Sequence, residues 1–170
     1  MRPYAKNICA ILLPATCFVL AGGCATLDEK LHRDIVRVSR YYNKQSPWIN
    51  FDDPPSKVPG GIRMVVYLKS SKGHLGVFGD GTIHVNLYHI EKGPDGETVE
   101  NHLKRWSFDA EQAVLYHTPR VRLGRGYQLR LNWGDADILG KEAMFTVSFE
   151  RYDGRVIHGQ SMYLKVPRRV

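Results

Sequence analysis

From residue 62 onward, apolar side chains recur at every second position, which restricts this part of the chain to extended strands with one face turned inward. Ile62, Met64, Val66 and Leu68 alternate with Arg63, Val65, Tyr67 and Lys69. Ile83, Val85 and Leu87 alternate with Thr82, His84, Asn86 and Tyr88. Tyr127, Leu129, Leu131 and Trp133 form a third set, and Phe145, Val147 and Phe149 a fourth. Val156, Met162, Leu164 and Val166 mark the end of the series. Such alternation suits antiparallel sheets with one face on a core and the other in water. Turn residues fall between the runs: Gly79-Asp80-Gly81, Pro94-Asp95-Gly96 and Asp153-Gly154, the last spaced for a tight hairpin.

The segment 101–118 carries two signals. Trp106 and Phe108 suit a strand, whereas Asp109 and Gln112 suit a capped helical turn before Val114-Leu115-Tyr116. Counting it gives about seven strands, the number expected of an all-β, antiparallel two-sheet sandwich over residues 62–167. The preceding residues read differently. Leu27, Leu31, Ile35 and Val38 recur every three or four positions behind a Thr26–Glu29 capping pair, so residues 24–43 are expected to form a tether with an amphipathic helix over 26–42. Residues 44–61 hold Pro47, Pro54, Pro55, Pro59, Gly60 and Gly61 and read as a connector, in which Trp48, Ile49 and Phe51 are apolar enough to dock, as a short edge strand would.

The N-terminus reads as an export signal. Residues 1–7 are positively charged, residues 8–20 are apolar throughout, and Ala21, Gly22 and Gly23 are small. The apolar run is short for a bilayer core about 30 Å thick. The segment Leu20-Ala21-Gly22-Gly23-Cys24 resembles the lipobox of bacterial lipoproteins. That resemblance covers residues 1–24 and implies cleavage after residue 23 and acylation of Cys24. Two or three acyl chains make a stable anchor where one does not. Ala25 resembles outer-membrane sorting in diderm hosts. The formal charge of +7 falls to +5 once Arg2 and Lys6 leave with the signal. A mild basic excess favours anionic lipid head groups or acidic polymers, although the scatter of the charges also suits an ordinary soluble surface. Cys9 and Cys17 leave with the signal too, so the exported part has no disulfide, no cysteine-based zinc site and no cysteine nucleophile.

Two further resemblances bear on fold. Leu123-Gly124-Arg125-Gly126-Tyr127-Gln128-Leu129 resembles the tyrosine corner of immunoglobulin-like domains, which implies a bond from the Tyr127 hydroxyl to the backbone of the preceding turn. Leu129 stands where those of antibodies carry a disulfide cysteine. A plain core tyrosine after a Gly-rich turn fits equally. The runs PGGIRMVVYL, FGDGTIHVNLY, WSFD, GRGYQLRLNWGDAD and GKEAMFTVSFERYDGR resemble a group of uncharacterised bacterial lipoproteins and secreted proteins, a likeness that implies export and a β-rich fold but no activity.

Chemistry is sparse. No serine sits in a Gly-x-Ser-x-Gly elbow; Ser70, Ser71, Ser107, Ser148 and Ser161 lie in turns or strands. His74, His84, His89, His102, His117 and His158 show no metal-ligand spacing, and His84 and His89 should face opposite ways on one strand. Asp80, Asp135 and Asp137 are the weak calcium candidates, at loop positions such as C2-like sandwiches use, although Asp-Gly pairs serve turns without an ion. Tyr88, Trp106, Trp133 and Arg130 are the aromatic and basic residues a stacking surface would need, but an exported protein is not expected to bind nucleic acid. The sequence therefore leads to the expectation of a non-enzymatic, lipid-anchored envelope protein without a cofactor, binding an envelope protein or polymer or serving a structural role. The alternative is a calcium- or carbohydrate-binding module around Asp80 and Asp135.

Overall fold

The computed structural model describes residues 30–170 apart from 53, 55 and 121. The signal peptide, Cys24 and the Thr26–Glu29 pair lie outside the described residues. In chain order the strands are β1 (Ile35–Tyr41), β2 (Trp48–Ile49), β3 (Gly61–Ser70), β4 (Gly76–Val77), β5 (Gly81–Lys92), β6 (Thr98–Phe108), β7 (His117–Arg120), β8 (Gly124–Asn132), β9 (Glu142–Arg151), β10 (Val156–His158) and β11 (Met162–Lys165). They build two sheets in a sandwich-like arrangement. A six-stranded sheet runs β1-β3-β4-β8-β7, with β2 on β3 and β3 also pairing β8; a five-stranded sheet runs β10-β9-β5-β6, with β11 on β9. Pairing is antiparallel apart from a parallel contact between Gly76 and Gly124 and an isolated parallel bridge from His32 to Gly79.

The expected helix over 26–42 is overturned where it can be seen: Ile35–Tyr41 is an edge strand. The cause is a bulge. Ile35 opposes Ser70 and Arg37 opposes Lys69, so Val36 is an extra residue with no partner. Ile35 and Val38 consequently both face the core, three positions apart, and imitate a helical stripe. The β-branched Ile35, Val36 and Val38 suit the strand. The described part of the tether and the Trp48–Ile49 stretch of the connector thus belong to the sandwich. Trp48 and Ile49 dock as expected, opposite Ile62 and Gly61. Among the described residues, the eleven strand segments exceed the expected seven because β1 replaces the expected helix and β2, β4 and β10 are two or three residues long and leave no period to read.

Segment 101–118 holds both of its sequence signals in succession. β6 ends at Phe108, and the Asp109 side chain accepts from the Gln112 N–H at 2.8 Å to cap α1 (Ala110–Ala113). A 3₁₀ turn over Val114–Tyr116 then leads into β7.

The core lies between the inner faces. Ile62, Met64, Val66, Leu68, Leu129 and Leu131 meet Ile83, Val85, Leu87, Phe145, Val147 and Phe149, all buried. Both open sides between the sheets are stitched. On one, Trp106 Nε1 donates to the Asn132 carbonyl at 3.1 Å. On the other, Arg40 Nη2 donates to the Ser161 carbonyl at 2.6 Å, and burial pushes this guanidinium below its usual range.

The loop Phe78-Gly79-Asp80 ties the layers together. His32 N–H donates to the Phe78 carbonyl at 2.8 Å, and Asp80 N–H donates to the His32 carbonyl at 3.0 Å. Between them, Gly79 N–H donates to the buried Tyr127 hydroxyl at 2.9 Å. This partner lies 48 residues before the tyrosine and outside the turn that a tyrosine corner would use. Gly79 fits because it lacks a side chain: a Cβ there would lie 2.6 Å from Phe149 Cζ and 2.7 Å from Leu68 Cδ1. Gly79→Ala is expected to destabilise the domain by about 1–3 kcal/mol through overpacking. Tyr127→Phe, which orphans the Gly79 N–H, is expected to cost a similar ~1–3 kcal/mol. Denaturant midpoints check both, and an unchanged midpoint for Tyr127→Phe would contradict this role of the hydroxyl.

Candidate functional site

The three aspartates singled out from sequence do not meet. Asp80 precedes β5 at the end where Gly81 opposes Arg151, whereas Asp135 and Asp137 lie in the loop that enters β9, where Glu142 opposes Ile90. Nine residue steps of β5 separate those ends, about 30 Å at 3.3 Å per residue. Asp80 Oδ2 accepts from Arg33 Nε at 2.8 Å. Asp137 Oδ2 accepts from Lys141 Nζ at 2.8 Å, and that hydrogen bond holds the Asp137 carboxyl below its usual range. Among the described residues, no three His, Cys, Asp or Glu side chains gather to hold a metal ion. Asp135 and Asp137 do line a shallow cavity of about 390 Å³ with Asp52, Gly60 and Trp133. Asp52 came into range through the connector, whose fold the sequence period did not show; its Oδ2 accepts from Ser56 Oγ at 2.6 Å.

Among the histidines, one polar line stands out. His84 Nδ1 lies 2.9 Å from Ser107 Oγ, and its Nε2 lies 3.0 Å from Glu150 Oε2. The register explains the line, since His84 opposes Ser107 on β6 and Thr82, two positions before it, opposes Glu150 on β9. His84 is buried, and the three side chains lie across the outer face of the five-stranded sheet. Serine, imidazole and carboxylate in sequence resemble a nucleophile relay, yet here they bridge three neighbouring strands of one sheet, and none lines the cavities described. The line buries and satisfies a histidine. His89 faces the other way, as the odd spacing requires, with Nδ1 3.0 Å from Glu91 Oε1. The proposed stacking residues are likewise dispersed: Trp133 is buried, Trp106 sits between the sheets, and Tyr88 and Arg130 occupy opposite outer faces.

The charge distribution is the feature that sequence reading missed. No strand of the six-stranded sheet contains aspartate or glutamate. The five-stranded sheet carries Glu91, Glu100, Glu142 and Glu150. On the outer face of the six-stranded sheet, Arg63 stands directly opposite Arg130, and Lys69 directly opposite Arg37. Like charges so placed repel one another. Arg63 and Arg130 form no salt bridge to a described carboxylate; Arg130 lies over the Phe51 ring at 5.6 Å. Two shallow depressions flank this pair. Arg63 and Gln128 line one of about 220 Å³ with Tyr41 and Ser46, while Arg130 and Gln128 line one of about 350 Å³ with Leu115. The signal available beforehand was the absence of acids from these strands, but it needed the strand pairing to become a face.

No family model and no curated protein matches the chain. It is similar in structure to part of the crystal structure of MtrC from Shewanella baltica OS185, at 11% identity and a TM-score of 0.43, over 78% of this chain. The chain spans 22% of that protein.

Because Asp80 is held away from Asp135 and Asp137, and both Asp80 and Asp137 are already paired with cations, the melting temperature is expected to be the same in calcium and in chelator. A calcium-dependent rise of several degrees would contradict that.

Proposed function

We propose that the chain is a lipid-anchored protein of the cell envelope, at the outer membrane in a diderm host, whose domain works by binding an anionic partner and catalyses no reaction. The observation that carries the binding role is the directly opposed pair Arg63 and Arg130, on a sheet without a single acidic residue. Opposed like charges cost stability in the free domain, and a bound anion offsets that cost. The anchor reading is supported by the apolar run 8–20 and the small residues before Cys24. The immunoglobulin-like reading of the sandwich is supported by its two largely antiparallel sheets closing over one apolar core.

A second reading has an observation of its own. The cavity lined by Asp52, Asp135 and Asp137 offers oxygen acceptors beside Trp133, an arrangement suited to a polyhydroxylated ligand such as a carbohydrate. The two readings separate by salt, since polyanion binding weakens steeply with ionic strength and sugar binding does not.

Radiolabelled palmitate is expected to enter the wild-type protein and not Cys24→Ala; equal labelling of both would contradict the anchor. The full chain is expected to be retained on immobilised dextran sulfate at low salt. Arg63→Ser with Arg130→Ser should elute at lower salt than wild type, and identical elution would remove the face from the binding role.

A further inference from the structure

We propose that the anionic partner of this face is the lipid head-group surface of the membrane itself, so that the sandwich lies down on the bilayer instead of standing away from it. The inference rests on the cationic-face reading and gives it one occupant. Three observations select a lipid surface over a soluble polyanion.

The first is shape. The charges sit on one sheet face, with the Arg63–Arg130 pair and the Lys69–Arg37 pair at its two ends and the buried Val65 and Tyr67 between them. Six residue steps of β3 separate Arg63 from Lys69, about 20 Å. Charges spread in this way over a pleated surface match a planar array of phosphates, to which each basic residue near the surface adds attraction.

The second is the apolar rim. Leu115, at the 3₁₀ turn before β7, is 84% exposed and lines the same depression as Arg130. Tyr41, 47% exposed, lines the depression of Arg63 on the opposite side. Exposed leucine and tyrosine beside cations are what an interfacial surface requires: the apolar groups enter the head-group boundary while the cations meet phosphate. A soluble acidic polymer gives Leu115 nothing to enter.

The third is reach. β1 is an edge strand of this same sheet, and the chain leading into it is already held at His32, eight residues after Cys24. A chain of that length spans at most about 28 Å, so an acylated Cys24 would keep the face close to the bilayer that anchors it.

The experiment is hydrogen exchange on the mature full-length protein reconstituted in vesicles, either of phosphatidylcholine alone or of an equal mixture with phosphatidylglycerol. The expected result is slower exchange across Val114–Thr118 and Arg37–Tyr41 in the anionic vesicles only. Arg63→Ser with Arg130→Ser should lower the docked-to-free ratio about 30-fold, and added salt should act in the same direction. Leu115→Ser, which keeps every charge, should lower it as well. Protection of these segments by dextran sulfate but not by phosphatidylglycerol would overturn the lipid surface and leave the anionic-partner reading standing. Protection by neither would overturn both.

Discussion

One buried hydrogen bond organises this sandwich. The Gly79 N–H reaches the Tyr127 hydroxyl across the core, joining the loop that starts β5 in one sheet to the middle strand β8 of the other. The donor could not come so close if residue 79 had a side chain, because Phe149 and Leu68 already fill that space. The same loop receives the N-terminal segment through His32 on both sides, and Tyr152 N–H donates to the Asp80 carbonyl at 3.2 Å. With no cysteine after residue 24, the domain has no disulfide to fix the spacing of its layers. Apolar packing supplies the cohesion, and this polar contact sets where the layers meet, since leaving either group unpaired in the core is costly.

Fixing the layers also fixes the two outer faces, which differ in kind. On the five-stranded sheet, buried and half-buried polar residues satisfy one another, as the line from Ser107 through His84 to Glu150 illustrates. On the six-stranded sheet the opposed cations do not. Arg63 and Arg130 face each other because β3 and β8 pair in the register that puts Leu129, Leu131, Ile62 and Met64 into the core. A slip of one residue would separate the charges only by turning those apolar side chains to water. Core packing therefore imposes the repulsion, which a bound anion would relieve.

Much of the fold could be read from the alternation alone, because burial on one face of a strand writes a period of two into the sequence. β3, β5, β8 and β9 all carry it. The mixed strand and capped turn of residues 101–118 were visible too, through Trp106, Phe108 and Asp109. What failed was β1, where one bulged residue, Val36, converted a strand pattern into helical spacing. The partner of Tyr127 was also out of reach, since nothing local to residues 123–129 points to Gly79. The candidate aspartates were legible as loop residues, but the distance between their loops depends on which ends of β5 and β9 coincide. The cationic face suffered most: Arg37, Arg63, Lys69 and Arg130 look scattered along the chain and become neighbours only through pairing.

The proposed binding role of this face depends on repulsion between Arg63 and Arg130 in the unbound protein. A double-mutant cycle at these two positions, with stability measured by denaturant at low salt, tests this most directly. The expected coupling between the arginines is unfavourable, about 0.2–1 kcal/mol, and shrinks as salt is added. A coupling of zero, or one that favours the folded state, would contradict the claim and leave the face without its reason to bind.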